Sequence, residues 1–211
     1  MNCLYFSRRV AALLLTICLI GSQAVAASLS DSPQLASVTK AKGDVILLRG
    51  FGSVFSTGMD KIAAKLSKSR VKARVMSHNQ WKNAARSIVA NHKKFGPRPV
   101  ILIGHSWGGN AIIKLAKALK RERISVTYMV TFDATAPQPA PSNIRRLTNF
   151  YLKGGGWGVA VKRGAGFRGV LKNVDLSKDK KVSHTNIDDR PKLQDQIVRN
   201  ILRFLRVSGR G

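Results

Sequence analysis

An α/β architecture, a mostly parallel central sheet with helices on both faces, is predicted by three observations. Short apolar runs rich in β-branched residues alternate with stretches whose apolar residues recur at helical spacing. Residues 43–207 are enough for one such core, which supports a single domain. A Gly-x-Ser-x-Gly, Gly104-His105-Ser106-Trp107-Gly108, stands between an apolar run and a helical pattern.

Taken in order, Asp44–Leu48 reads as the first strand and Met59–Leu66 as a helix. Val71–Met76 follows as a strand and Gln80–Lys94 as a helix. Val100–Ile103 is a buried strand, Ala111–Lys120 a helix with lysines on its outer face, and Ser125–Phe132 a strand. Residues 134–167 are irregular: Pro137, Pro139 and Pro141 open the segment, and Gly154-Gly155-Gly156-Trp157-Gly158 follows later. Ile144–Tyr151 within it reads as a short strand or a helical turn, and the whole segment as a cleft wall, a partial lid or a surface excursion. Gly169–Leu176 is the last strand. The closing helix starts at Pro191 and carries Leu193, Ile197, Ile201 and Leu205 on one face.

The serine motif carries chemistry through its context. Strand, tight turn and helix in succession make a nucleophile elbow, in which small residues let the elements pack closely while the hydroxyl of Ser106 stays accessible. Such a serine needs a base and an orienting acid. Four histidines are available. His105 sits inside the elbow, so its side chain is expected to point away from the serine hydroxyl. His92 reads as a solvated surface residue and His78 as a neighbour of the cleft. His184 lies between the last strand and the last helix, where the base belongs. Asp133 closes the strand after the elbow helix and is the preferred acid, with Asp175 as its rival. Two backbone N–H groups would complete the site as an oxyanion hole: Trp107, directly after the serine, and Phe51, after the first strand.

These pieces resemble the α/β-hydrolase family, in particular its small lipase-, cutinase- or thioesterase-like members. The resemblance spans residues 43 to 207 and rests on Gly50-Phe51-Gly52, Gly104 to Gly109, Phe132-Asp133 and His184-Thr185-Asn186. It implies a Ser-His-Asp hydrolase acting on an ester or thioester of a small or lipid-like acyl substrate, with no cofactor and no metal. Transfer of the acyl group to another acceptor, or an inactive cationic binding module on the same fold, are the alternatives. Two departures stand out. Arg49 replaces the usual histidine, placing a permanent cation near the site, and only one clear strand separates the elbow helix from the segment leading to His184.

The N-terminus and the charge bear on location and partners. Residues 1–26 combine Arg8 and Arg9, an apolar Val10–Ile20 and an Ala24-Val25-Ala26 cleavage pattern, which reads as a signal peptide to the periplasm or exterior. Residues 27–42 form a polar leader and 208–211 a tail. Both cysteines, Cys3 and Cys18, fall in the removed segment, so no disulfide is expected. The formal charge is +27, and removing Arg8 and Arg9 leaves +25. That field favours an anionic membrane surface or an acidic polymer. No nucleic-acid-binding module is visible, and the protein is expected to act as a monomer.

Overall fold

The computed structural model describes residues 43–52, 56–155 and 157–207, all within the compact unit Thr39–Gly211. The signal-peptide, leader and tail assignments lie outside the described residues.

Six strands form one parallel sheet in the order β2-β1-β3-β4-β5-β6. They are β1 (Asp44–Arg49), β2 (Ala73–Ser77), β3 (Val100–His105), β4 (Tyr128–Phe132), β5 (Arg146–Tyr151) and β6 (Val170–Asp175). Among the described residues four α-helices accompany them: α1 (Thr57–Lys68), α2 (Trp81–Phe95), α3 (Trp107–Arg121) and α4 (Pro191–Val207). The predicted α/β class is therefore present. No helix among the described residues is long and apolar enough to cross a membrane.

Strand alternation sorts the core into two layers. Ile46, Leu48, Leu102 and Met129 point to the layer of α2 and α3, where they meet Ile88, Ile112, Leu115 and Leu119. Their neighbours Val45, Leu47, Ile101, Ile103 and Val130 point to the opposite layer and meet Met59, Ile62 and Leu66 of α1 and Ile197, Ile201 and Leu205 of α4. Both faces of β1 and β3 are covered, which is why these strands read as unbroken apolar runs. Helix α3 ends in a Schellman arrangement: Ile124 N–H bonds the Leu119 carbonyl and Arg123 N–H that of Lys120, with Arg123 itself left-handed at φ 57°.

The segment Ile144–Tyr151, ambiguous in the sequence, contains strand β5. It pairs with β4 on one side and β6 on the other. Two strands, β4 and β5, thus separate the elbow helix from β6, the segment leading to His184, which corrects the count of one. Among the described residues, no helix covers β5 and β6 on the α2/α3 side. A coil does, and polar side chains tie it down. Thr131, Asn149 and Asn173 lie side by side in register across β4, β5 and β6. The Thr131 hydroxyl donates to Asn149 Oδ1 at 2.7 Å, and Asn149 Nδ2 donates to Asn173 Oδ1 at 2.8 Å and to the Val159 carbonyl at 3.0 Å. Asn173 in turn bonds both the N–H and the carbonyl of Val161. Coil backbone brought against a sheet must find partners, and these asparagines supply them.

Candidate active site

In a doubly wound sheet, functional groups gather beyond the carboxyl ends of the strands, where the strand order reverses. Here the reversal falls between β1 and β3, and Gly50, Phe51 and Ser106 all lie at that point.

Ser106 links β3 to α3 at φ 55° and ψ −121°, a conformation that costs a non-glycine residue about 1–3 kcal/mol. Surrounding contacts hold it there. Its N–H bonds the Phe132 carbonyl at 2.8 Å, and its carbonyl accepts from Asn110 N–H at 3.2 Å. The elbow glycines are required by proximity. A Cβ on Gly108 would lie 2.0 Å from the Leu48 carbonyl oxygen, and one on Gly104 would lie 2.3 Å from that of Gly108. Helix α3 begins at Trp107, earlier than the apolar pattern indicates, because its first turn is made of these small residues.

His184 and Asp133 meet the serine. His184 Nε2 lies 3.1 Å from Ser106 Oγ, and Nδ1 lies 2.6 Å from Asp133 Oδ2. A carboxylate only accepts, so Nδ1–H donates to it, and the bare Nε2 is left to accept from the serine hydroxyl. Asp133 is fully buried and also left-handed, at φ 45°. Its N–H bonds the Phe150 carbonyl at 2.7 Å and its Oδ1 accepts from Leu152 N–H at 3.1 Å, so strand β5, ambiguous in the sequence, holds this carboxylate in place. Asp175, the rival, is exposed at the end of β6. There the N–H groups of Ser177 and Lys153 bond its carboxylate and hold its pKa below the usual value.

The residues of the two expected backbone donors adjoin each other beside the serine, the Phe51 and Trp107 rings packing at 4.9 Å. Gly50 packs over the serine closely enough that a Cβ there would lie 3.0 Å from the Ser106 Cβ. Gly50 N–H is engaged by Ser56 Oγ at 2.9 Å, whereas Phe51 N–H has no partner among the described residues. Trp107 is the first residue of α3, a position whose N–H has no intrahelical acceptor.

His105 does not touch the serine hydroxyl, as expected, yet it is far from idle. It is 1% exposed, and burial lowers its pKa to about 4, so it is neutral near pH 7. Its Nε2 lies 2.7 Å from the His184 carbonyl and must be the N–H donor, so Nδ1 at 2.8 Å accepts from the Ser56 hydroxyl. A relay runs from Gly50 N–H through Ser56 and His105 to the backbone of His184. A histidine ending an otherwise apolar, fully buried strand was the signal available in the sequence.

Other residues divide. His78 borders the cleft as anticipated, with Nδ1 3.3 Å from the Gly50 carbonyl and its ring edge-on to Trp107 at 5.3 Å. Phe51 and Trp107 pack at 4.9 Å on this side, and the exposed Trp157 lies 4.5 Å from the His184 ring on the other. The site therefore has aromatic walls, and Trp157 makes part of the 134–167 segment one of them. Arg49 is not a free cation over the site. It forms a two-pronged ion pair with Asp60 in the first turn of α1. His92 is half-buried, with Nδ1 shielded from solvent, and is not the solvated residue expected. Among the described residues, no group of three or more His, Cys, Asp or Glu side chains is placed to hold a metal ion.

No protein-family model matches the chain, and no curated protein matches it.

Proposed function

We propose that this chain is a serine hydrolase that cleaves a carboxylic ester or thioester through an acyl-enzyme on Ser106. The observation that carries the reading is the continuous hydrogen-bonded chain Ser106–His184–Asp133, with a strained serine at one end and a buried carboxylate at the other. Ser106 Oγ attacks the carbonyl carbon while His184 Nε2 takes its proton, and the Nδ1–H bond to Asp133 supports the imidazolium. The oxyanion receives the N–H groups of Phe51 and Trp107, donors of a kind worth about 3–4 kcal/mol each. His184 then protonates the departing alcohol or thiol. Water, deprotonated by the same nitrogen, attacks the acyl carbon, frees the acid and restores Ser106. The aromatic walls suit an apolar acyl group, and residues 1–26 support export to the periplasm or exterior.

A fluorophosphonate probe followed by peptide mapping tests the proposal. Labelling is expected at Ser106, with both labelling and ester turnover lost in Ser106→Ala. Labelling at another serine, or turnover that survives Ser106→Ala, overturns it.

A further inference from the structure

The end of the sheet opposite Ser106 carries a second concavity. A cavity of about 900 Å³ lies against the first residues of β5 and β6, the segments leading into β3 and β4, and the last turns of α4. Arg98, Arg123, Arg145, Arg146 and Arg203 line it together with His92, and no Asp or Glu does. None of the five guanidinium groups forms an ion pair among the described residues. Asp44, whose N–H bonds the Pro99 carbonyl beside the cavity, is buried, and one of its carboxylate oxygens accepts from the Asn91 side chain.

Two further observations separate this lining from a generally basic surface. Three of the arginines are propped on aromatic rings, Arg98 at 4.6 Å over Phe95, and Arg203 and Arg146 at 5.3 and 5.8 Å over Phe204. Such stacking fixes guanidinium planes that would otherwise sample many rotamers, and a fixed fork loses less freedom on binding. In addition, Arg98 Nε and one Nη, and Nδ1 of His92, are buried without a hydrogen-bond partner. The buried Arg98 donors cost about 1–3 kcal/mol each when unpaired, so a ligand rich in acceptor oxygens gains by meeting them.

We infer that this arginine-lined cavity binds a ligand carrying more than one phosphate charge. Phosphate oxygens match the guanidinium fork two at a time, and five forks without an ion-pair partner among the described residues exceed what a single carboxylate can engage. The volume accommodates a linear oligophosphate or a phospholipid headgroup, two sources of one chemistry. Because the cavity and Ser106 lie at opposite ends of strands about 20 Å long, occupancy leaves the serine accessible, and the inference does not rest on the catalytic reading.

Calorimetric titration with inorganic tripolyphosphate at 0.1 M ionic strength, and co-sedimentation with phosphatidylcholine vesicles containing phosphatidic acid, provide the test. The variant Arg98→Gln/Arg145→Gln/Arg203→Gln is compared with Lys162→Gln/Arg168→Gln/Lys172→Gln, which removes the same charge from exposed positions elsewhere. The cavity variant is expected to lose at least tenfold in affinity and the control less than twofold. Arg123→Gln/Arg145→Gln/Arg203→Gln, which leaves the half-buried Arg98 in place, gives the same reading should the first variant fail to fold. Tripolyphosphate binding without vesicle binding assigns a soluble ligand, and vesicle binding displaced by tripolyphosphate assigns a headgroup. Equal losses in cavity and control variants overturn the inference in favour of a diffuse field, as does wild-type protein that binds neither probe.

Discussion

His105→Leu isolates the relay behind the serine. The substitution deletes the Nε2–H donor to the His184 carbonyl and the Nδ1 acceptor of the Ser56 hydroxyl, both buried, and keeps an apolar side chain of similar bulk. Each orphaned partner costs about 1–3 kcal/mol, offset in part by the easier burial of leucine, so the variant is expected to unfold about 1–4 kcal/mol more readily at pH 7.5. The gap should narrow in acid. The folded pKa of about 4 lies below the unfolded value of 6.5, so the unfolded wild-type chain takes up the proton first. The histidine's contribution is therefore complete above pH 6.5 and lost as pH falls toward 4, about 2 kcal/mol of it by pH 5. Leucine has no such dependence. Activity should respond separately: a shift of about 1 Å in His184 costs on the order of 100-fold in turnover, so kcat should drop 10- to 100-fold with KM for a small ester unchanged. Urea unfolding at pH 7.5 and pH 5, with steady-state ester hydrolysis, measures all three. A stability gap equal at both pH values, or kcat within twofold of wild type, refutes the relay.

The acid assignment is checked by Asp133→Asn, expected to lower kcat about 10⁴-fold, against Asp175→Asn, expected to stay within a few-fold; the reverse order would move the acid to β6. Asp188 gives a second pH signature. It is 1% exposed, and burial, reinforced by Asp189, raises its pKa to about 7 against the opposing pull of nearby backbone N–H groups and Lys61. The folded form holds a proton that the unfolded chain has released, so this group's contribution is full below pH 3.8 and lost as pH rises toward 7. Asp188→Asn should therefore gain on wild type between pH 4 and pH 8, by at most about 4 kcal/mol, in thermal or urea unfolding. A difference independent of pH would show that the carboxyl is not held neutral.

Local patterns singled out Ser106, His184 and Asp133, which the fold brings together. The elbow is a contiguous string whose small residues are demanded by contacts within and beside it, and Asp133 and His184 follow from the chain order that accompanies it. Strand β5 was obscured because its inward-facing Asn149 breaks the apolar alternation. That residue bonds coil backbone and neighbouring side chains, a requirement set by parts of the chain distant in sequence. The Arg49–Asp60 pair and the His105 relay were hidden for the same reason, since each depends on a partner that only the tertiary structure brings near. The arginine cavity is assembled from segments spread between residues 92 and 204, and in the sequence it is indistinguishable from general basicity.

The asparagine ladder has a consequence for how this molecule can be altered. By pinning Val159 and Val161 through side chains of β5 and β6, it separates the fastening of the coil from the stretch that overhangs His184. Gly158 is locked, since a Cβ there would lie 2.1 Å from Asp133 Oδ1, and Leu152 N–H is committed to the same carboxylate. Between these anchors, Lys153, Gly154, Gly155 and Trp157 are all exposed. These exposed residues sit between two fixed hems, so, on the proposed reading, a combinatorial library could vary the wall beside His184 at these few positions without disturbing the core or the Ser106–His184–Asp133 hydrogen bonds.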